Sequence, residues 1–358
     1  MKVAYSFDIF SIEKHGGIST YFQSLIPRIQ STDDVKIFSG FHISSVLSGL
    51  HSKGCQIPRL PFSFSLRSSV NFIAQMTELN VFRPDVIHQT YYLPLGIHPG
   101  KSKRIITIHD MIHETRPELF SKLDWTASFK KKAAGDADQI IAVSQSTADK
   151  IVDILKVPPS RIKIIHHGRP ELDLDAVTPF VRSRPYVLYI GKRGGYKNFK
   201  ALEKVFSANR RLAKDFDLVC FGGEEFSRSE LEHFQRAGTQ LVPIHGTRDL
   251  LYSYIRGARV LVSPSLDEGF GLPVLEAMTL GCPVICSDIL PYREVAGSSV
   301  EFYESGRAEA LHSALDRLIY DDKDLERLRR LGLERSKNFS WKKSTDLHRE
   351  LYSAASGN

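Results

Sequence analysis

The chain has 358 residues, of which 42% are hydrophobic and 25% charged, a balance typical of a globular protein large enough for two domains. The formal net charge is +7, and residues 1–171 hold 21 Lys and Arg against 15 Asp and Glu, so we expect the first half to face an anionic partner: nucleic acid, phospholipid or a diphosphate-carrying acceptor. No apolar run reaches the roughly 18 residues that a membrane-spanning helix requires.

Short apolar runs rich in β-branched residues alternate with helical patterns along the whole chain. The predicted strands are residues 3–7, 35–38, 86–89, 105–108, 139–143 and 162–165 in the first half, and residues 186–190, 218–221, 240–244, 260–262 and 283–286 in the second. Continuous apolar strands separated by helices are typical of parallel sheets covered on both faces. We therefore predict an α/β protein of two doubly wound, Rossmann-like domains with a cleft between them, in which ligands bind at the carboxyl ends of the strands.

Residues 173–185 have the composition of a linker, which divides the chain into a first domain over residues 1–172 and a second over residues 186–339. The remaining residues, 340–358, have a helical pattern. The N-terminal MKVAYSFDIF is interpreted as the first strand, because it lacks the long apolar region and cleavage site of a signal peptide.

The chain contains four cysteines, Cys55, Cys220, Cys282 and Cys286. We interpret them as reduced, packed thiols, because a zinc site would lack further ligands at a suitable spacing. The protein is therefore expected to be cytoplasmic.

The string EGFGLPVLE at residues 268–276 carries the strongest functional signal. It follows a predicted strand and leads into a predicted helix, with Pro273 suited to the first helical position. A strand, a glycine turn and a helix start form a site where free backbone N–H groups point at a ligand. The carboxylates of Glu268 and Glu276, placed at this opening, suit the hydroxyl groups of a sugar or ribose; the alternative is a capped helix with exposed acids.

This string resembles the EX7E motif of family 4 retaining glycosyltransferases, enzymes of the GT-B fold, and the resemblance extends through the following GCPVICSD. In that family the first glutamate and the EGFG amides contact the donor sugar, and the second glutamate contacts the nucleotide ribose. By resemblance, this segment's donor-binding residues are Glu268, Gly269, Phe270, Gly271, Leu272 and Glu276. The last helix of GT-B proteins commonly crosses back to the first domain, and the resemblance implies the same for residues 340–358.

The sequence HGGIS at residues 15–19 follows the first predicted strand and precedes a helical stretch. Paired glycines allow a tight turn whose amides face a phosphate, although a double glycine is also common in ordinary turns. The position resembles the N-terminal glycine loop of family 4, which touches the donor diphosphate, so the resemblance assigns that contact to Gly16 and Gly17.

The sequence IGKRGGYKN at residues 190–198 places several cations around a glycine turn at a predicted strand end. Such cations can neutralise a diphosphate that gains charge as it leaves; the alternative is a solvated basic loop. The loop also resembles the basic pair of family 4, an Arg or Lys followed five positions later by a Lys. That spacing selects Lys192 and Lys197, with Arg193 adjacent as a further donor-binding candidate.

The sequence TIHD at residues 107–110 ends a strand of the first predicted domain. A buried, hydrogen-bonded core histidine is the ordinary interpretation of such a residue. The position nevertheless resembles the histidine at the corresponding strand end in family 4, which lies close to the donor sugar and acceptor. The resemblance therefore implies a catalytic set of His109, Lys197 and Glu268, with Asp110 as a secondary candidate.

Residues 119–132, LFSKLDWTASFKKK, mix large apolar side chains with four lysines. The pattern fits a surface helix with one face in the core, or an interfacial helix resting on anionic lipid. Nucleic acid is disfavoured as a partner because no RNP, zinc-finger or helix-turn-helix pattern accompanies the charge. The lipid hypothesis adds peripheral contact with the inner face of the cytoplasmic membrane to the expected localisation.

The resemblance implies a retaining hexosyltransferase that moves a sugar from a nucleotide-diphosphate donor to an acceptor hydroxyl. GDP-mannose is the leading donor, with a UDP- or dTDP-sugar as the alternative, and the basic first half suits a lipid-linked or surface-polysaccharide acceptor. No cofactor and no metal are expected, since no DxD-like motif is suitably placed and lysines with backbone amides can stabilise the leaving diphosphate. A GT-B epimerase, a phosphorylase and a non-catalytic sugar-nucleotide binding protein remain alternatives.

Overall fold

The computed structural model describes residues 1–14, 16–44, 47, 52–57, 64–93 and 101–357. The chain divides into two compact units. The first unit comprises Met1–Gly168 together with Ser340–Asn358, and the second comprises Arg169–Phe339.

The strands and helices alternate along the chain. The strands are β1 (Lys2–Tyr5), β2 (Asp34–His42), β3 (Ser52–Gln56), β4 (Val86–Gln89), β5 (Lys103–Ile108), β6 (Gln139–Ala142), β7 (Ile162–Ile164), β8 (Tyr186–Ile190), β9 (Asp217–Phe221), β10 (Leu241–Ile244), β11 (Val260–Ser263), β12 (Val284–Ser287) and β13 (Glu301–Tyr303). The helices are α1 (Asp8–Ile12), α2 (Gly17–Gln30), α3 (Phe64–Phe82), α4 (Ile112–Thr115), α5 (Thr126–Asp136), α6 (Gln145–Leu155), α7 (Phe199–Ala208), α8 (Arg210–Asp215), α9 (Arg228–Arg236), α10 (Arg248–Gly257), α11 (Leu272–Thr279), α12 (Leu290–Ala296), α13 (Ala308–Leu318), α14 (Asp322–Ser336) and α15 (Trp341–Ser356).

Each unit is built on one parallel sheet. The first sheet has the order β3-β2-β1-β4-β5-β6-β7 and the second has the order β10-β9-β8-β11-β12-β13. Both orders reverse direction once, between β1 and β4 in the first sheet and between β8 and β11 in the second. The predicted pair of doubly wound, Rossmann-like domains is therefore confirmed. Ligands of such sheets bind outside the carboxyl ends of the strands at the reversal, so the loops after β8 and β11 are the place to look for a site.

Two strands were not predicted, β3 and β13. Both are edge strands of their sheets, so each pairs with a neighbour on one side only. β3 has the sequence SKGCQ, with Gly54, Cys55 and Gln56 exposed, and β13 has only three residues. An edge strand does not require a continuous apolar run, because much of its surface faces solvent, and the apolar pattern used for prediction is therefore absent.

Residues 173–185, predicted as a linker, lie within the second unit. The Phe180 ring stacks on Tyr254 with centroids 4.1 Å apart, and the Phe180 N–H donates to the Ser253 carbonyl at 2.9 Å. The change from one unit to the other comes at Gly168, four residues before the predicted domain end at 172. A segment rich in Pro and charged residues is thus ordered by the packing of Phe180 on α10 and by polar contacts such as the 2.9 Å ion pair of Arg182 and Asp217.

The C-terminal helix α15 packs on α2 inside the first unit. His348 and Tyr352 of α15 are fully buried. The Tyr21 hydroxyl and His348 Nε2 share a hydrogen bond of 2.6 Å, and the Tyr352 hydroxyl and His88 Nδ1 share another of 2.6 Å. Residues more than 250 positions apart in sequence therefore belong to one core.

Candidate functional site

The loops after β8 and β11 meet at the strand-order reversal of the second sheet. Lys197, from the first loop, places Nζ 2.6 Å from Oε1 of Glu268, from the second. The same carboxylate oxygen accepts hydrogen bonds from the Ser265 hydroxyl at 2.7 Å and from the Tyr292 hydroxyl at 3.3 Å. Glu268 is buried, and the three donors fix the position of its carboxylate.

Backbone hydrogen bonds hold these two loops together. The Leu266 N–H donates to the Tyr196 carbonyl at 2.7 Å, and the Asn198 side-chain amide donates to the Pro264 carbonyl at 3.2 Å. Asn198 itself has φ = 51°, a left-handed conformation that Asn tolerates better than most residues. Lys197 therefore stands on a short, fixed turn rather than on a free loop.

Gly271 allows α11 to start beside this pair. It has φ = 108°, and a Cβ at this position would lie 2.7 Å from the Tyr292 ring. A side chain at position 271 would therefore be strained and would displace Tyr292, a donor to Glu268. Pro273 has no N–H and the Val274 N–H donates to the Gly271 carbonyl at 3.0 Å, so the backbone amides at the very start of the helix are those of Gly271 and Leu272.

Glu276, the second glutamate of the motif, lies on α11 and is buried. Its Oε1 accepts a hydrogen bond of 2.5 Å from Nη2 of Arg248, the first residue of α10. Burial raises the pKa of Glu276, and the Arg248 charge and hydrogen bond counteract that rise. Arg248 in turn donates through Nε to the hydroxyl of Tyr252.

The three predicted cations of the basic loop have different environments. Lys197 pairs with Glu268, whereas Lys192 is exposed to solvent. Arg193 is buried: Nη2 donates to the Glu225 carbonyl at 2.8 Å, Nη1 donates to the Glu224 carbonyl, and the guanidinium lies 3.6 Å from the centroid of the Phe226 ring. These contacts give Arg193 a structural role in ordering the loop after β9.

In the first unit, His109 follows β5 and is buried. Its backbone N–H donates to the Tyr92 hydroxyl at 3.1 Å, and its ring packs edge-on against Tyr21 with centroids 5.0 Å apart. Burial lowers the pKa of His109 to about 4, and although Asp110 acts in the opposite direction, Lys130 adds to the lowering. Nε2 is buried and has no hydrogen-bond partner among the residues that the structure describes. A neutral imidazole with an unpartnered nitrogen is suited to bind a hydroxyl.

Lys130 of α5 holds the backbone of Asp110 in place through hydrogen bonds. The Lys130 ammonium donates to the Asp110 carbonyl at 2.9 Å and to the Glu114 carboxylate at 2.8 Å, and it is completely buried. Burial would raise the pKa of Asp110, but the Lys130 charge and the Ile112 N–H outweigh it and lower that pKa. The lysine thus supports the backbone that carries His109 and Asp110.

This burial corrects the prediction of a continuous lipid-facing helix over residues 119–132. A 3-10 turn ends at Leu119, α5 begins only at Thr126, and Lys130 faces the core. Leu123 and Trp125 are nevertheless 80% and 62% exposed, and the neighbouring lysines at positions 122, 131 and 132 are exposed as well. No helix among the described residues combines the length and the apolar character needed to cross a bilayer.

The glycines at the start of α2 lie against a carboxylate. Oε2 of Glu13 accepts a hydrogen bond of 2.8 Å from the Ser19 N–H, and a Cβ at Gly16 would fall 1.8 Å from Oε1 of the same side chain. Gly17 is the first residue of the helix, and position 15 of the predicted HGGIS turn lies outside the described residues. The amide site predicted for a diphosphate therefore holds an anionic side chain of the protein itself.

Several residues of the site were not predicted: Glu13, Arg248, Ser265 and Tyr292. Ser265 lies three residues before Glu268 and is a short-range neighbour, whereas Arg248 and Tyr292 are more than 20 residues from the glutamates they contact. No local spacing marks such contacts. Within the described parts of the chain, no cluster of three or more His, Cys, Asp or Glu side chains is arranged to hold a metal ion.

Comparison with known proteins gives matches for both units. The glycosyltransferase family 4 model matches residues 15–171, and the model for glycosyl transferases group 1 matches residues 173–335. O-antigen chain mannosyltransferase B of Escherichia coli is 26% identical over 365 residues, which cover 92% of this chain and 93% of that protein. D-inositol 3-phosphate glycosyltransferase of Pseudarthrobacter chlorophenolicus is 25% identical over 395 residues, covering 95% and 90%.

Among solved structures, that of Anabaena Alr3699/HepE in complex with UDP-glucose superimposes with a TM-score of 0.79 at 15% identity, covering 99% of this chain and 100% of that one. At such low identity the likeness shows the fold, which is the predicted GT-B fold. Since the two family models together span both domains, the chain belongs to glycosyltransferase family 4.

Proposed function

We propose that this glycosyltransferase moves a hexose from a nucleotide-diphosphate donor to an acceptor hydroxyl with retention of the anomeric configuration. The observation that carries the proposal is the ion pair of Lys197 and Glu268 at the strand-order reversal of the second sheet. One member suits the diphosphate and the other suits sugar hydroxyls, and the α11 start adds backbone amides beside them.

The proposed step breaks the bond between the anomeric carbon and the diphosphate, and the diphosphate leaves with the electron pair. The acceptor oxygen forms the new bond on the same face of the sugar, and its proton passes to a phosphate oxygen of the leaving group. Lys197 would stabilise the charge that develops on that group, and the amides of residues 16 and 17 would contribute where the diphosphate displaces the Glu13 carboxylate from the start of α2. Glu268 would hold the sugar, with the amides of residues 269–271 and Leu272 lining the donor site.

The environments of three further residues decide which substrate contacts we propose for them. Lys192, exposed in the same loop as Lys197, is the better candidate for a second diphosphate contact than Arg193, whose guanidinium is engaged by two carbonyls and a ring. Glu276 would bind the ribose. In the first unit, His109 would contact the transferred sugar or the acceptor through its unpartnered Nε2.

GDP-mannose is the donor that we propose first, because a relative matched over almost its whole length is an O-antigen chain mannosyltransferase. A UDP-sugar is the alternative, favoured by the structural likeness to a protein solved with UDP-glucose; a dTDP-sugar is a further option. The proposed acceptor is a lipid-linked or surface-polysaccharide glycan, by analogy with the same relative. We also propose that the reaction needs no metal ion.

We further propose peripheral contact with an anionic membrane, in keeping with a protein that works at the inner face of the cytoplasmic membrane. The support is the exposed pair of Leu123 and Trp125 with the exposed lysines at positions 122, 131 and 132. Lys130 is excluded from this surface because it is buried and paired.

A donor panel tests the function. The purified protein is incubated with GDP-mannose, UDP-glucose, UDP-galactose and dTDP-sugars, and melting temperature and donor hydrolysis are measured for each, with EDTA and with added Mg²⁺. The true donor is expected to raise the melting temperature by mass action and to be consumed in EDTA. Activity that is lost in EDTA and restored by Mg²⁺ would overturn the metal-free reaction.

The panel also separates the alternatives. An epimerase would change the donor sugar without releasing nucleoside diphosphate. A phosphorylase would require inorganic phosphate. A non-catalytic binding protein would be stabilised by a donor without consuming it, with or without membrane-extract acceptors.

A further inference from the structure

Glu276 is held by a cation on a different helix. Its Oε1 accepts a hydrogen bond of 2.5 Å from Nη2 of Arg248, the opening residue of α10. Throughout the described ranges of the chain, no other hydrogen bond reaches the Glu276 carboxylate. Oε2 is therefore the oxygen left to accept a hydrogen bond from a ligand.

Arg248 is itself anchored at two points. Its Nε donates to the hydroxyl of Tyr252, one turn further along α10, and Tyr252 is buried. The backbone at Arg248 is fixed by Thr247, the N-cap residue, whose hydroxyl accepts the Leu250 N–H at 3.4 Å. A guanidinium held by a side chain of its own helix and by a carboxylate of α11 restricts the orientation of that carboxylate.

Burial raises the pKa of the Glu276 carboxyl, and the adjacent Arg248 charge and hydrogen bond limit that rise. An ionised carboxylate is an acceptor only, whereas a protonated one would donate from one oxygen. A carboxylate that accepts hydrogen bonds from both hydroxyls of a ribose must be in the ionised form, which only accepts.

We propose that Arg248 is a positioning residue that orients the Glu276 carboxylate toward the vicinal hydroxyl pair of the donor's ribose, and so makes the site selective for ribonucleotides over 2′-deoxyribonucleotides. The inference rests on the proposed function, because it takes a nucleoside diphosphate as the ligand. A site built to accept a hydrogen bond from a substrate hydroxyl discriminates against an analogue that lacks the hydroxyl, since the buried acceptor is then left unpaired.

Binding of two matched nucleotide pairs tests the proposal. Dissociation constants are measured by calorimetry for UDP against 2′-deoxy-UDP and for GDP against 2′-deoxy-GDP, in the full chain. For the nucleotide that binds, the unmodified protein is expected to prefer the ribose form by about tenfold or more. In Arg248→Met the preference is expected to fall close to one, through loss of affinity for the ribose form, while Arg248→Lys retains part of it.

Two further variants make the result specific. Tyr252→Phe removes one anchor of Arg248 and keeps the ring, so it is expected to lower the preference by less than Arg248→Met does. Arg317→Met removes an arginine that pairs with Glu301 elsewhere in the same unit and is expected to leave the preference unchanged. Melting temperatures without nucleotide show that each variant is folded.

The possible failures are distinguishable. If the unmodified protein binds neither UDP nor GDP, the proposed function fails and the inference fails with it. If it binds one of them without preferring ribose, or if Arg248→Met weakens the ribose and deoxyribose forms equally, the function survives and the role of Arg248 is overturned. An unchanged preference in Arg248→Met overturns it as well.

Discussion

Lys197 and Glu268 form an ion pair of 2.6 Å in which the lysine and glutamate side chains are only 18% and 10% exposed. The two residues are 71 positions apart and come from loops that follow different strands of the second sheet. The pair therefore has two roles that can be separated: it supports the fold, and we propose that it supports the reaction.

Replacing Lys197 with Ala is expected to lower kcat by on the order of a hundredfold, with a smaller change in donor affinity. The reason is that charge grows on the diphosphate as the glycosidic bond breaks, so a fixed cation stabilises the transition state more than the bound donor. Steady-state kinetics with the donor found in the panel measure the effect, and Lys197→Glu should be worse because it adds repulsion.

The fold contribution of the same pair is tested by a second substitution. Lys197→Ala leaves the buried Glu268 carboxylate without its cation and is expected to cost about 1–3 kcal/mol of unfolding free energy. Adding Glu268→Gln should recover part of that stability without recovering turnover. Lys200→Ala, an exposed lysine on α7, is the matched control. Normal turnover in Lys197→Ala would show that the loop is only a surface turn.

Lys130→Ala is expected to destabilise the protein by roughly 3–5 kcal/mol, because it leaves the buried Glu114 carboxylate unpaired. Urea unfolding followed by circular dichroism measures the loss. Lys132→Ala changes an exposed lysine of the same helix and should have little effect. Equal stability of the two variants would contradict the buried position of Lys130.

The lipid hypothesis now depends on a different set of lysines. Changing Lys122, Lys131 and Lys132 together to Glu is expected to reduce binding to phosphatidylglycerol vesicles, because basic residues near such a surface each contribute about 1 kcal/mol. Activity on a short, soluble acceptor should survive. Reversing three exposed cations of α14, Lys323, Arg327 and Arg330, provides the control. If the unmodified protein does not bind the vesicles, the proposed membrane contact is wrong and residues 119–132 are an ordinary protein surface.

Acid is expected to unfold the first unit through its buried histidines. Burial lowers the pKa of His109 and of His348 to about 4, below the value near 6.5 expected in the unfolded chain. The unfolded chain therefore binds more protons between these values, so the stability is complete above pH 6.5 and falls as the pH drops toward 4.

The loss amounts to about 3 kcal/mol for each histidine at most. Urea titrations between pH 8 and pH 4 measure it. His348→Gln should make the profile shallower, whereas His245→Gln, at an exposed position, should leave its shape unchanged. A stability that is flat over this range would contradict the buried neutral state.

Asp8 is expected to have the opposite effect to the buried histidines: it lowers the stability of the protein as the pH rises. Burial raises the pKa of Asp8 to about 7, although the Ser6 hydroxyl donates to its carboxylate at 2.8 Å and partly offsets the rise. An acid whose folded pKa lies above its unfolded value costs stability as the pH rises from about 4 to 7. Asp8→Asn should therefore stabilise the protein at pH 8, by up to about 4 kcal/mol, with the gain vanishing toward pH 4. A destabilised variant at pH 8 would contradict this assignment.

The sequence alone determined the layout of this protein. Each predicted central strand is a largely apolar run, because a strand covered on both faces buries nearly all of its side chains, and that requirement is local. The motif at residues 268–276 was equally visible, since a strand end, a turn with Gly271 and a helix start with Pro273 are consecutive in the chain. The edge strands β3 and β13 were missed because they are under no such local requirement.

Only the tertiary structure decided which charged residues are available. Lys130, Lys131 and Lys132 are identical in sequence pattern, yet the first is buried against Glu114 and the other two are exposed. Arg193 and Lys197 belong to one basic loop, but the Arg193 side chain binds backbone carbonyls whereas the Lys197 side chain pairs with Glu268. The cause is physical: burying a charge requires a partner, and here each partner is brought to it by the packing of elements distant in sequence. The Arg248–Glu276 pair arises in the same way, from two helices whose contact no spacing in the sequence records.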